Sequence, residues 1–233
     1  MVETEPSGTE RWHPHPVLYL ISAVAGLALL VVTSLLIDGD RPLGPEEGIF
    51  TAINGLPGWL VYVVWPPMQF GNMAIVPVAA VAAAIFRRWV LAGGFLVVGA
   101  GKYVGARVVK DLIQRHRPAQ FVDDTVLRAG TDANGLAFVS GHVAIAVAIA
   151  IIAHHHLPRW GRILVWGLAA LTAFGRIYVG AHLPLDVIGG AGMGVFLGSI
   201  VNLGSAAIQR YQLKRGWLGR TSAPALEGDS VSG

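Results

Sequence analysis

The stretch VLAGGFLVVGAGKYVGARVVKDLI, from Val90 to Ile113, decides what kind of protein this is. As a helix rising about 1.5 Å per residue it is long enough to cross the ~30 Å hydrocarbon core of a bilayer. Its second half nevertheless carries Lys102, Arg107 and Lys110. Cations at that depth are costly and turn toward a protein interior or a wet cavity, so the stretch predicts a membrane span with chemistry at one end. The rest of the chain agrees: 54% of its 233 residues are hydrophobic and 13% charged, with a mean hydropathy of +0.58. Soluble domains carry about 25% charged residues, so both an ordinary soluble domain and a disordered chain are excluded. The absence of cysteine removes disulfides, thiolate metal sites and thiol nucleophiles. Net charge is +3 and the isoelectric point is near 9.5. The basic residues sit between apolar runs instead of forming a stripe on a soluble face, so the expected partner is a bilayer and no nucleic acid.

Working outward, apolar runs fall at 16–37, 58–86, 90–113, 143–152, 163–177 and 185–208. The run at 58–86 is broken by Pro66-Pro67, Gly71-Asn72 and Pro77, and is too short for two crossings, so it predicts one long kinked span. The expected architecture is an all-α integral membrane bundle of six transmembrane helices over 16–208. A polar segment at 1–15 precedes it, and a tail at 209–233 follows that is basic and then disordered. The first run follows Glu3, Glu5 and Glu10 and is too long for a cleaved signal, so it is expected to stay. Small residues recur four apart, as at Gly101 and Gly105 or Gly190, Gly194 and Gly198, and read as helix-packing faces.

Six spans set the sidedness. One side gathers nine basic residues: Arg11, Arg87 and Arg88, Arg159 and Arg162, and Arg210, Lys214, Arg215 and Arg220 of the tail. The other has Arg41, Arg115, Arg117 and Arg128, with Lys110 and Arg176 at its border. By the positive-inside rule both termini are expected in the cytoplasm, and the connections at 38–57, 114–139 and 178–184 outside.

Three polar clusters fall on that outer side. Lys110 and Arg117-Pro118 end the third span, seven residues apart, a spacing that a helix would bring to one face. Ser140-Gly141-His142 opens the fourth span with a cap residue, a residue allowing close approach, and free amides suited to an anion. Arg176, His182 and Asp186 lie where the fifth span ends and the sixth begins; a carboxylate four residues from a histidine can hold one ring nitrogen and leave the other free. Three cations, a helix-start anion site, two histidines and a carboxylate at one depth suit phosphoryl transfer, which needs charge neutralisation, a nucleophile and an acid.

In these motifs the chain closely resembles the type 2 phosphatidic acid phosphatase superfamily, which shares its site with class A bacterial acid phosphatases and vanadium haloperoxidases. Lys110 to Arg117-Pro118 stands in full, Ser140-Gly141-His142 follows, and Arg176, His182 and Asp186 keep the spacing of the third motif. The departures are Val139 where the family has Pro and Gly175 where it has Ser. The resemblance implies a metal-independent lipid phosphate phosphatase of the cell envelope, with no cofactor. In it His182 would attack phosphorus, Asp186 orient it and His142 protonate the leaving oxygen. Lys110, Arg117, Arg176, Ser140 and the amide of Gly141 would hold the phosphate oxygens. The expected substrate is a lipid-linked phosphate or diphosphate, a polyprenyl carrier ahead of phosphatidic acid or phosphatidylglycerol phosphate. Phosphotransfer to an alcohol on the same site, or a silent lipid-binding member, stays open.

The remaining polar features read more plainly. His154-His155-His156 is expected as a solvated helix end and Asp123-Asp124 as a solvated loop, so no metal site is expected. Lys102 either pairs with a partner or reaches a headgroup. No transporter is indicated, because the two halves show no pairing.

Overall fold

The computed structural model describes residues 15–221, with side chains through Gln212. Among the described residues there are helices, loops and two isolated bridges but no strand. Helix α1 (Pro16–Leu35) and helix α2 (Gly44–Asn54) both open with a proline in the first turn, where its missing N–H costs nothing. Helix α5 (Trp89–Ile113) stops where Gln114 turns left-handed, at φ 53°. Helices α6 (Gly141–His154), α7 (Arg159–Tyr178) and α8 (Pro184–Thr221) complete the chain.

The run at 58–86 departs from the single kinked helix expected. It is two helices, α3 (Val61–Met68) and α4 (Ile75–Ile85), joined by a 3-10 turn at Gln69–Gly71. Pro66 and Pro67, inside α3, lack the N–H groups that would bond back to the carbonyls of Tyr62 and Val63. Asn72 then swings extended, and its side-chain oxygen accepts the Ala74 N–H at 3.0 Å. Helix α3 lies on α7, the turn on α6 and α7, and α4 on α5. Helix α2 stands at 84° to the segment Gly58–Gly71, across its end.

Helix α6 is the centre. Its residues from Val143 through Ala150 are all buried, and α5, α7 and α8 pack on it. Helix α1 lies along α8 in close backbone contact: a Cβ on Gly26 would stand 2.6 Å from the Phe196 nitrogen and 2.8 Å from the Gly192 oxygen. Outward-facing apolar side chains such as Leu20, Val24, Val81, Val97 and Val104 coat the bundle, a surface made for lipid. Three helices are long and apolar enough to cross a bilayer, α1, α5 and α8 over Pro184–Gln212, or four if the bent pair at Gly44–Asn54 and Gly58–Gly71 is counted as one. Helix α6 has 14 residues, and α7 carries Arg159, Arg162 and Arg176.

Helix α8 runs past position 208, where the sixth span was expected to end, through to Thr221; no proline interrupts that stretch. The polar segment at 1–14 and the tail at 222–233 lie outside the described residues.

Candidate active site

The loop after α5 builds the site. Lys110, in the last turn of α5, donates to the carbonyls of Leu136 and, at 3.1 Å, Ala137. Arg117 is not on the same helix face, as its spacing suggested. The helix has already ended at Ile113, and Arg117 is extended (φ −75°, ψ 151°) ahead of Pro118. Its N–H donates to Gly135 at 3.2 Å and its guanidinium to the Asp132 carbonyl at 2.8 Å. Lys110 and Arg117 therefore meet through a turn.

Ser140 caps α6 by position, but its hydroxyl makes no capping bond. Its N–H donates to the Asp186 carbonyl at 3.0 Å, which ties the second cluster to the third. Arg176 is buried near the end of α7, and His182 is buried between α7 and α8. His182 Nδ1 lies 3.6 Å from Asp186 Oδ2, longer than a hydrogen bond. Such contacts tighten when a site is occupied. The Nε of Arg117, the Nε of Arg176 and the Oγ of Ser140 are buried donors with no protein partner among the described residues. His142 lies within electrostatic reach of Arg176, His182, Lys102 and Arg117, so these groups gather at one end of the bundle. Burial, with Arg176, Lys110 and Arg117 close by, holds the His182 imidazole well below its ordinary pKa of 6.5, which keeps it neutral.

One network has no counterpart in the sequence reading. Arg115 is fully buried and donates to Glu46 at 2.7 and 3.0 Å and to Asp186 Oδ1 at 3.1 Å. Asp186 Oδ2 accepts the Leu183 N–H at 2.8 Å, and Glu46 Oε1 the Leu185 N–H at 2.9 Å. Burial works against the Arg115 charge, but the two carboxylates outweigh it and hold the guanidinium more firmly protonated than usual. Asp186 is thus fixed from α2 and the loop as well as from α8. A second clamp, Asn54 with Arg128, binds Val126 and the carbonyl of Tyr178 and fastens the 114–139 loop over the bundle end.

The departures from the motif have physical settings. A Cβ on Gly175 would lie 2.9 Å from Val64 and 3.2 Å from the Met68 sulfur, so α3 occupies the room a serine would need. Val139 is wholly buried in the apolar cluster with Phe138, Ala106 and Met193. His154 accepts from Trp166, and His156 meets Arg88, at the opposite end of the bundle. Asp123 and Asp124 are exposed, and no metal-sized cluster of His and acidic residues occurs among the described residues.

An apolar helical bundle that gathers Lys110, Arg117, Arg176, His142 and His182 at one end is a membrane enzyme of phosphate esters in kind. The chain belongs to the PAP2 superfamily, whose family model matches residues 74–209. It is 31% identical over 70% of its length to undecaprenyl-diphosphatase of Sulfolobus acidocaldarius, of which it covers 82%. It is 27% identical over 78% of its length to decaprenylphosphoryl-5-phosphoribose phosphatase of Mycobacterium tuberculosis, of which it covers 91%. Its fold matches the crystal structure of Aquifex aeolicus LpxE with a TM-score of 0.65 at 24% identity, over 70% of this chain and 98% of that one. It also matches the transmembrane PAP2-type phosphatidylglycerolphosphate phosphatase of Bacillus subtilis, with a TM-score of 0.62 at 22% identity, over 83% and 96%.

Proposed function

We propose that this chain is a six-span membrane phosphatase that hydrolyses a lipid-linked phosphate or diphosphate, with a polyprenyl carrier as its preferred substrate. The second of these spans is α3 and α4 taken together. The observation that carries the reading is the convergence of two buried arginine Nε donors and a buried serine hydroxyl on His142 and His182. In the reaction, a ring nitrogen of His182 donates its lone pair to phosphorus. The bond from phosphorus to the leaving oxygen breaks, its electron pair stays on that oxygen, and His142 supplies the proton. Water then attacks the phosphohistidine, His142 takes the water proton, and the N–P electron pair returns to His182 as inorganic phosphate departs. Lys110, Arg117 and Arg176 hold the equatorial oxygens as charge builds on them. Asp186, locked by Arg115, keeps the His182 ring in position. No metal is invoked in these steps, since side-chain cations supply the neutralising charge. The polyprenyl preference draws on the relatives that act on such carriers, and on a site at the bundle end, where a headgroup sits while its tail stays in hydrocarbon.

The test is phosphate release from detergent-solubilised undecaprenyl diphosphate, undecaprenyl phosphate and phosphatidic acid by the purified protein, beside His182→Ala. Wild type is expected to turn over and to yield a phosphohistidine on alkaline quench, and His182→Ala to do neither. A phosphoenzyme that persists in His182→Ala overturns the nucleophile. Faster hydrolysis of phosphatidic acid than of both polyprenyl lipids overturns the substrate preference.

A further inference from the structure

Lys102 lies two turns before Lys110 on α5, about 12 Å nearer the middle of that helix. Its side chain is pressed against the start of α6: a Cβ on Gly141 would collide with Lys102 Cε and stand 2.8 Å from its Nζ. The ammonium is therefore beside His142 and within electrostatic reach of Lys110. At the same helix start the buried hydroxyl of Ser140, without a partner among the described residues, supplies a further donor.

Charge bookkeeping shows why the extra cation matters. Lys102, Lys110, Arg117 and Arg176 bring four positive charges to the pocket. The two carboxylates there, Glu46 and Asp186, are both engaged by Arg115, and the trio carries one net negative charge. With both imidazoles neutral before substrate binds, the site holds an excess of three positive charges, and His142 takes up the proton it later donates as the anionic substrate binds. A phosphate monoester brings about two negative charges, and a diphosphate ester brings one more ionised oxygen.

We infer that Lys102, with the amino end of α6, forms a second phosphate subsite that binds the lipid-bearing phosphate of a diphosphate substrate. This rests on the phosphatase reading above and adds to it which of the two phosphates goes where. The terminal phosphorus faces His182, among Lys110, Arg117 and Arg176. The inner phosphate, whose lipid chain must run into hydrocarbon, lies on the Lys102 side, deeper along α5. When the terminal P–O bond breaks, its electron pair passes to the bridging oxygen, and that oxygen leaves on the inner phosphate with the proton from His142. Lys102 is adjacent to both, so it offsets charge that appears only as the bond breaks.

The experiment compares undecaprenyl diphosphate with undecaprenyl phosphate, one tail carrying two phosphates or one, on full-length wild type, Lys102→Met and Lys102→Arg. The quantity read is the ratio of the two kcat/KM values in a single preparation, which does not depend on the fraction of protein that is active. Loss of a charge-assisted contact is expected to lower that ratio about tenfold or more in Lys102→Met, with most of the ratio retained in Lys102→Arg. Inorganic pyrophosphate should likewise lose its advantage over phosphate as an inhibitor of Lys102→Met. An unchanged ratio in Lys102→Met, an equal loss of the ratio in Lys102→Arg, or loss of activity toward both lipids in Lys102→Met overturns the subsite. Wild type inert toward both lipids overturns the phosphatase reading instead.

Discussion

Arg115 has no exposed surface, and among the described residues its charge is matched by Glu46 and Asp186 alone. Removing the cation leaves two carboxylates in a dry interior, and breaking such a pair costs about 3–5 kcal/mol. Arg115→Met is therefore expected to lower the thermal midpoint in detergent sharply. Glu46→Gln, which keeps the acceptor for Leu185, should lower it less; equal midpoints for both variants and wild type would refute the network's role. His182 gives a second expectation at this scale. Its imidazole is held below 6.5 in the fold, so the unfolded chain binds its proton first as pH falls. The stability it contributes is complete above 6.5 and is lost as pH drops from there toward the folded-state pKa. Thermal midpoints should fall between about pH 7 and about pH 5, with a shallower slope in His182→Asn; identical slopes would count against the assignment. The motif residues were legible in the sequence because their spacing is fixed within short stretches. The Arg115 pair with Glu46 was not, because the two are 69 positions apart and a glutamate in a first helical turn reads as a partner for the helix dipole.

Helix α1 meets α8 across glycines, and the fit leaves no room for a branched side chain. Gly26→Val would drive its methyls into the backbone at Gly192 and Phe196 and part the two helices. Overpacking of this kind costs about 1–3 kcal/mol or more. Because α1 carries none of the site residues, a lowered midpoint with kcat close to wild type is expected. A variant as stable as wild type would mean that the helices do not pack this closely. The long elements were readable: the ends of α1 and α5 fall within two residues of the apolar runs at 16–37 and 90–113. The second run was not, because the prolines announce a break without saying whether the chain kinks or starts again. What decides it is tertiary: Gly71 must approach the His142 carbonyl so closely that no Cβ fits, which pins the 3-10 turn against α6.

At the scale of the whole molecule, the bundle has two chemically different ends. One holds Arg87, Arg88, Arg159 and the contact of Arg88 with His156. The other holds the candidate site, roofed by the 114–139 loop and fastened by His116 to Asp40 and by Arg128 to the carbonyls of Asn54 and Leu56. Burial alone would raise the Asp40 pKa, but the N–H and ring of His116 outweigh it and hold it below its ordinary value, so this fastening keeps its charge at neutral pH. We propose, from the positive-inside rule, that the first end, richer in basic residues, faces the cytoplasm and the candidate site the outside. A chain without native cysteine makes this directly measurable. Asp123 and Arg159 are both exposed, at opposite ends. In intact cells a membrane-impermeant maleimide is expected to label Asp123→Cys and to reach Arg159→Cys only after lysis. Reversed labelling would turn the molecule over and bring its substrate from the inner leaflet, and a lipid phosphate consumed there would be one made or held on the cytoplasmic side. Labelling of both in intact cells would instead indicate a mixed topology, because nine basic residues against four is a bias that neighbouring charges can alter.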